Sequence, residues 1–273
     1  MSRSISVIIR NKNDPHIFEC ISSLVIVARG VFELIIIDSS ENPLDRNNLP
    51  FGSLYIYENV TRFEALSLGV AMARFESILI IDSDQIVSPD LISELSNIRE
   101  DMCIIRELSY NRNFVGRISD QHREFLFKHS KNHVSKSLPV VPRMYRKDVL
   151  EKAMAQLQAG ELSLINQHED SVIYSEVLKL THSVGFCNIP IFNIDPSFHD
   201  FAIKSFKYGV SQATALSSKG ISKEKADLLR SLDMNRVIYS DTEGFNTGIL
   251  YDILKASFYV PGFFFGKIHK MYT

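Results

Sequence analysis

The chain opens with short apolar runs separated by helix-length stretches. Residues 6–9 (Ser-Val-Ile-Ile) read as a first strand, and Asp14-Pro15 then supplies an N-cap with proline at the first helical position, which predicts a helix toward residue 28. Residues 32–37 are apolar and β-branched, end at Asp38, and give way to a polar loop over 39–48. A weaker strand over 54–57 and a helix over 63–73 lead to Ser77-Ile78-Leu79-Ile80-Ile81-Asp82, four apolar residues running into a carboxylate. Ser88-Pro89 starts another helix by the same device. Apolar runs that do not alternate with polar residues indicate strands buried on both faces, and strands alternating with helices imply right-handed βαβ units and a mainly parallel sheet.

Beyond residue 100 the periodicity loosens. Residues 109–138 are polar and basic, with Arg112, Arg117, Arg123, Lys128, Lys131 and Lys136, and read as solvated surface, with a phosphate-binding or lid segment as the alternative. A strand over 140–145, a helix over 147–158, a helix over 172–180, a short strand over 189–194 and a helix reaching residue 215 complete the pattern. The expected organisation is a domain over 1–215, with a nucleotide-binding half to residue 100 and an acceptor-binding half after it, and a helical extension over 216–273. In that extension Ile249, Leu250, Ile253, Leu254 and Phe258 fall on one helical face, followed by an aromatic cluster at 263–265 and by Lys267, His269 and Lys270. Such a stripe fits an interfacial helix on an anionic membrane, and equally packing on the body of the protein or on a twin subunit in a homodimer.

Composition narrows the classes. At 273 residues, 45% hydrophobic and with a formal charge of −2, the chain can bury a large core and offers no broad basic surface, which disfavours nucleic-acid binding. Three cysteines, Cys20, Cys103 and Cys187, are far apart and lack metal-ligand spacing, so buried thiols in a reducing, cytoplasmic setting are expected. The run at the amino terminus is too brief for a signal peptide, and no stretch reaches about 18 uninterrupted apolar residues.

The chemistry concentrates where strands end. In an open α/β sheet the binding crevice lies outside the carboxyl ends of the strands, which puts Asp82, Ser83 and Asp84 at its rim. Two carboxylates one residue apart suit Mg²⁺ or Mn²⁺, which in turn would hold a substrate diphosphate. Glu169-Asp170 opens a later helix, where an ionised carboxylate is favoured by the helix dipole.

Taken in order, these features over about residues 4–210 resemble the family 2 glycosyltransferases of GT-A fold. The matching positions are the turn Arg10-Asn11-Lys12-Asn13 after the first strand, Asp38 ending the second, Gly69 and Ala71 in the helix before Asp82-Ser83-Asp84, and the pair Glu169-Asp170. The resemblance implies a Rossmann-like, mixed but mainly parallel sheet flanked by helices, and inverting transfer of a sugar from a nucleotide donor, a UDP-sugar, to a hydroxyl of a glycan or lipid-linked acceptor. It implies that Asp38 reads the base, that Asp84 ligates Mn²⁺ or Mg²⁺ directly, and that Asp82 reaches the ribose, or the cation through water. Asp170 would be the general base, Glu169 its neighbour, and His199 a further metal ligand. Two departures stand out: Leu66 and Ser67 occupy positions where the family often has an Arg-Asn pair, with Arg62 one turn upstream as the substitute cation, and Arg10 replaces a usual proline. A sugar-nucleotide nucleotidyltransferase would use a similar sheet but needs a glycine-rich phosphate loop after the first strand, and 10–14 contains no glycine. A degenerate, non-catalytic transferase domain is the remaining alternative.

Overall fold

The computed structural model describes residues 3–27, 32–132, 134, 140–157, 169–217, 221–238 and 248–272. His168 and Lys136 lie outside these residues, and so do the side chains of Ile249, Leu250 and Lys270. The elements in order are β1 (Ile5–Asn11), α1 (Ile17–Val27), β2 (Phe32–Asp38), β3 (Leu54–Tyr57), α2 (Arg62–Met72), β4 (Ser77–Asp82), β5 (Gln85–Val87), α3 (Leu91–Leu95), β6 (Met102–Ser109), α4 (Phe114–Asn132), β7 (Met144–Arg146), α5 (Lys147–Ala155), α6 (Glu169–Leu180), β8 (Val184–Asn193), α7 (Phe198–Leu216), α8 (Lys223–Ile238) and α9 (Gly248–Tyr272).

The chain forms two compact units. The first comprises 1–110, 142–156 and 176–194; the second comprises 111–141, 157–175 and 195–273. The first unit holds an eight-stranded sheet in the order β3-β2-β1-β4-β7-β6-β8-β5. Strands β3, β2, β1 and β4 are parallel, β7 runs antiparallel to both β4 and β6, and β5 runs antiparallel to β8. The strand order changes direction between β1 and β4, the kind of switch point at which α/β sheets bind ligands.

The sheet is buried on both faces, as the unbroken apolar runs require. Val7, Ile9, Ile36, Leu79 and Ile81 share one core with Cys20 and Leu24 of α1 and Leu91 and Leu95 of α3. Ile8 packs on the other face toward α2, and a Cβ on Gly69 would come within 2.6 Å of its Cγ2. Glycine at that position lets the helix lie close on the strand. Thr61 starts α2 with a capping box: its hydroxyl accepts from Glu64 N while the Glu64 carboxylate accepts from Thr61 N. All three cysteines are buried in the first unit with free thiols.

Four local features differ from the expectations. The basic stretch after residue 109 contains the 19-residue helix α4, whose buried Val115, Ile118, Leu126 and Phe127 are spaced helically among the charges. The strand β6 is also present, and β8 starts at Val184, earlier than its apolar run suggests. After Ser88-Pro89 the helix α3 has only five residues and its N-cap is Asp90, while the Ser88 hydroxyl donates to the Pro190 carbonyl at 2.5 Å.

Candidate active site

Strand register builds the first half of the site. Arg10 lies opposite Asp82 across the β1–β4 pair, and Asn11 lies opposite Asp38 across β1–β2. Two neighbouring residues of one strand therefore meet two different carboxylates, because β1 has a parallel neighbour on each side.

Asp82 is enclosed by arginines. Its Oδ1 accepts from Arg10 Nη2 at 3.1 Å and from Arg62 Nη2 at 2.9 Å, and its Oδ2 accepts from Arg143 Nη1 at 2.8 Å. Arg143 also donates through Nε to Glu107 Oε1 at 2.7 Å, and Glu107 Oε2 accepts from Asn193, whose own Oδ1 accepts from Gln85. Gln85 Oε1 in turn accepts from Asp82 N at 3.0 Å, closing the loop of bonds. Burial works against an ionised Asp82, but the charges of Arg62, Arg143 and Arg10 outweigh it and hold the carboxyl far below the usual carboxylate range. Three guanidiniums thus converge on Asp82, one of them shared with Glu107, next to the sheet's switch point. Asp84 follows two residues on, partly buried, with its carbonyl accepting from Ile194 N at 2.8 Å, and Ser83 between them is buried.

Asp38 organises the second pocket and is fully buried. Its Oδ1 accepts from Asn11 Nδ2 and from the amide and hydroxyl of Ser40, and its Oδ2 accepts from Leu44 N and the Tyr55 hydroxyl at 2.8 Å. Burial raises its pKa, yet the bonds from Ser40, Tyr55, Leu44 and Asn11 prevail and keep it below the ordinary aspartate value. Tyr55 responds in the opposite direction, its phenol pushed up to about 12 by burial and by donation to Asp38. Because the Asn11 amide nitrogen donates to both Asp38 and Ser40, its orientation is fixed, and Oδ1 is left buried with no hydrogen-bond partner among the described residues. Asn13 adopts φ 56°, a left-handed conformation that asparagine tolerates, and joins the same loop through its amide to Ser40 Oγ and its Oδ1 to Glu41 N.

The second unit holds the remaining sequence candidates. Glu169 and Asp170 form the first turn of α6, Glu169 buried and Asp170 partly so. His199 stands in the first turn of α7, its side chain 82% exposed beside Asp200. Close by in sequence, Asp195 takes a bidentate pair from Arg123 at 2.8 and 2.9 Å, while Asn111 brackets its backbone. Among the described residues no group of three or more His, Cys, Asp or Glu side chains is gathered closely enough to hold a metal ion.

Sequence reasoning named Arg10, Arg62 and Asp82, and the structure brings them together; it also brings together Asn11, Asn13 and Asp38. It missed Arg143, Glu107, Tyr55 and Ser40. Arg143 had one signal, its place beside a short strand, for its backbone bridges Cys103 of β6 and Ile80 of β4 just ahead of β7. At the departure from the family pattern, Leu66 is fully buried and Ser67 bonds back to Phe63 in its own helix, while Arg62 reaches the carboxylate.

No family model and no curated protein matches the sequence. Solved structures do match. The TarS 1-349 protein of S. aureus in complex with UDP aligns with a TM-score of 0.56 at 17% identity, over 89% of this chain and 73% of that one. In the longer TarS structure the match spans 44% of the chain. The mannosyltransferase PcManGT of Pyrobaculum calidifontis, in complex with GDP-Man and Mn²⁺, gives 0.51 at 12% identity over 94% and 74%. Glucosyl-3-phosphoglycerate synthase of Mycobacterium tuberculosis, with Mn²⁺, UDP and phosphoglyceric acid, gives 0.51 at 17% identity over 81% and 80%. At these identities the likeness is one of fold, and the fold is that of the GT-A glycosyltransferases.

Proposed function

We propose that this protein is an inverting glycosyltransferase that moves a sugar from a UDP-sugar to a hydroxyl of a glycan or lipid-linked acceptor at the cytoplasmic face of a membrane. The observation that carries the reading is the cluster of Arg10, Arg62 and Arg143 on Asp82, at the carboxyl ends of β1 and β4 in a GT-A sheet. Guanidinium forks match phosphate oxygens geometrically, so a donor diphosphate is the ligand that a cluster of three of them at this switch point suits. Asp82 is then the anchor that aims them. Complexes of similar structures with UDP and with GDP-Man support a nucleoside-diphosphate donor.

The residues present fit a divalent cation held in one way. Both oxygens of Asp82 accept from arginine, and Asp84, two residues on, is the carboxylate we assign to direct ligation. Mg²⁺ and Mn²⁺ sites built from one or two carboxylates and substrate phosphates are common, so Asp84 with the diphosphate is a sufficient donor set. When bound, such a cation offsets charge developing on the leaving diphosphate. At the base pocket, Asp38 acts through Asn11, whose amide it holds in one orientation at the turn after β1. Asp170 takes the proton of the acceptor hydroxyl, a role that contributes about 10² to 10⁴-fold, with Glu169 orienting it.

Calorimetric titration with UDP and with GDP, in Mn²⁺ and in EDTA, tests the reading on wild type, Asp84→Ala and Arg143→Met. UDP binding that weakens in EDTA, is insensitive to EDTA in Asp84→Ala, and is lost in Arg143→Met is the expected outcome. Failure of both nucleotides to bind under every condition sinks the proposal.

A further inference from the structure

The second unit contains a helix pair whose packing leaves one face uncovered among the described residues. Helices α7 and α9 approach to backbone contact: a Cβ on Gly209 would run into the Tyr259 carbonyl, one on Gly262 into the Phe206 carbonyl, and one on Gly266 would stand 2.9 Å from the Val210 carbonyl. Small residues four apart, Gly262 and Gly266, make this close crossing possible, a pattern frequent where helices meet in lipid. The glycine side of α9 is therefore used. Its opposite side should be polar if it met only water.

It is not polar. Ile253, Val260, Phe264 and Ile268, spaced to share one side of α9, are 45–59% exposed. Phe265, also exposed, extends this face to Phe206 of α7 at 5.9 Å between ring centres. Soluble monomers seldom expose an apolar strip of this kind. Spanning is not indicated, since no described helix is long and apolar enough to cross a membrane.

Charge identifies the partner. After Asp252, α9 has no acidic residue, and it carries Lys255, Lys267, His269 and Lys270; after Asp200, α7 has none either, and it carries Lys204 and Lys207. Lys204, Lys207 and Lys267 are exposed, and the Lys267 ammonium lies 5.0 Å over the Phe263 ring, beside the apolar strip. In a chain of net charge −2 this is a local basic concentration. A second copy seated on the same face would set these lysines against their own equivalents, whereas an anionic bilayer meets the apolar strip with acyl chains and the lysines with phosphate groups.

We propose that the α7–α9 pair docks in the plane of an anionic phospholipid surface, with Ile253, Val260, Phe264 and Ile268 entering the acyl boundary and Lys204, Lys207 and Lys267 at the headgroups. The docking is independent of how the donor site is read. The chain has no tryptophan, so Phe264→Trp and Phe51→Trp each install a single indole, the latter in an exposed loop of the first unit. With vesicles of phosphatidylcholine and phosphatidylglycerol, the Phe264→Trp emission shifts to the blue and the Phe51→Trp emission does not. Binding to these vesicles exceeds that to phosphatidylcholine alone by at least about tenfold, falls with salt, and drops by a similar factor in Lys204→Glu/Lys207→Glu, whose circular dichroism is unchanged. An unshifted indole with both vesicle types overturns the proposal. So does equal binding to both lipids, or a dimer in lipid-free solution that Phe264→Asp dissociates.

Discussion

Each of the two units of this protein is organised internally, and by opposite means. In the first, side-chain charge is placed by strand pairing: Arg10 and Asn11 are directed to Asp82 and Asp38 by the neighbours of β1 on either side. In the second, α7 and α9 are fixed by the absence of side chains, with glycines permitting backbone contact. The first arrangement tolerates little change in charge and the second little change in volume. A polar site therefore sits in an otherwise apolar sheet, and an apolar face sits on an otherwise polar helical unit.

That contrast can be broken by substitution, beginning where the effect is largest. Asp82→Ala removes the carboxylate that three guanidiniums share and should cost about 3–5 kcal/mol in urea unfolding, the usual cost of removing one partner from a largely buried ion pair. Gly262→Leu, which changes no charge, should cost about 1–3 kcal/mol by overpacking and lower the thermal midpoint followed by circular dichroism. If Gly262→Leu were silent, the close crossing of α7 and α9 would not be the device that holds the second unit together.

Smaller effects sharpen the comparison. Tyr55→Phe removes one donor from the well-satisfied Asp38 carboxylate and should cost about 1 kcal/mol. Asp38 and Asp82 are both held below their unfolded pKa of about 3.9, so their stabilisation is fully present above that pH and is lost as pH falls through their folded values. Urea midpoints measured between pH 7 and pH 3 should therefore fall less steeply in Asp38→Asn than in wild type. At the bottom of the scale, Phe264→Asp should change stability by no more than about 0.5 kcal/mol without lipid, because its ring is already exposed. A large loss there would mean that the strip on α9 is part of a core.

Most of the sheet was legible because parallel strands buried on both faces announce themselves as unbroken apolar runs. The residues 78–81 are the clearest example. Helix α4 was hidden by its charges, since its buried positions are separated by Arg117, Arg123 and Lys128 and the segment's composition resembles surface. Within the site, Arg10, Arg62 and Asp82 could be named from order along the chain. Arg143 and Glu107 could not, because Arg143 bridges Asp82 and Glu107 only through the antiparallel insertion of β7 between β4 and β6, and a strand expected over 140–145 says nothing of its neighbours. Asn11 shows a subtler gap: its place was foreseen, but the unsatisfied Oδ1 emerges only when all five bonds on Asp38 are known.

The distribution of thiols has a practical consequence. Cys20, which bonds through Sγ to the Asp82 carbonyl, Cys103 and Cys187 are the only cysteines in the sequence, and all are buried in the first unit. Burial raises the pKa of each, Cys187 to about 11, so in the folded protein they are neutral and shielded from alkylating reagents. The rate at which a maleimide or a disulfide reagent modifies this chain is thus a clock for the opening of the sheet alone, blind to anything the helical unit does, and nucleotide in the arginine cluster should slow it.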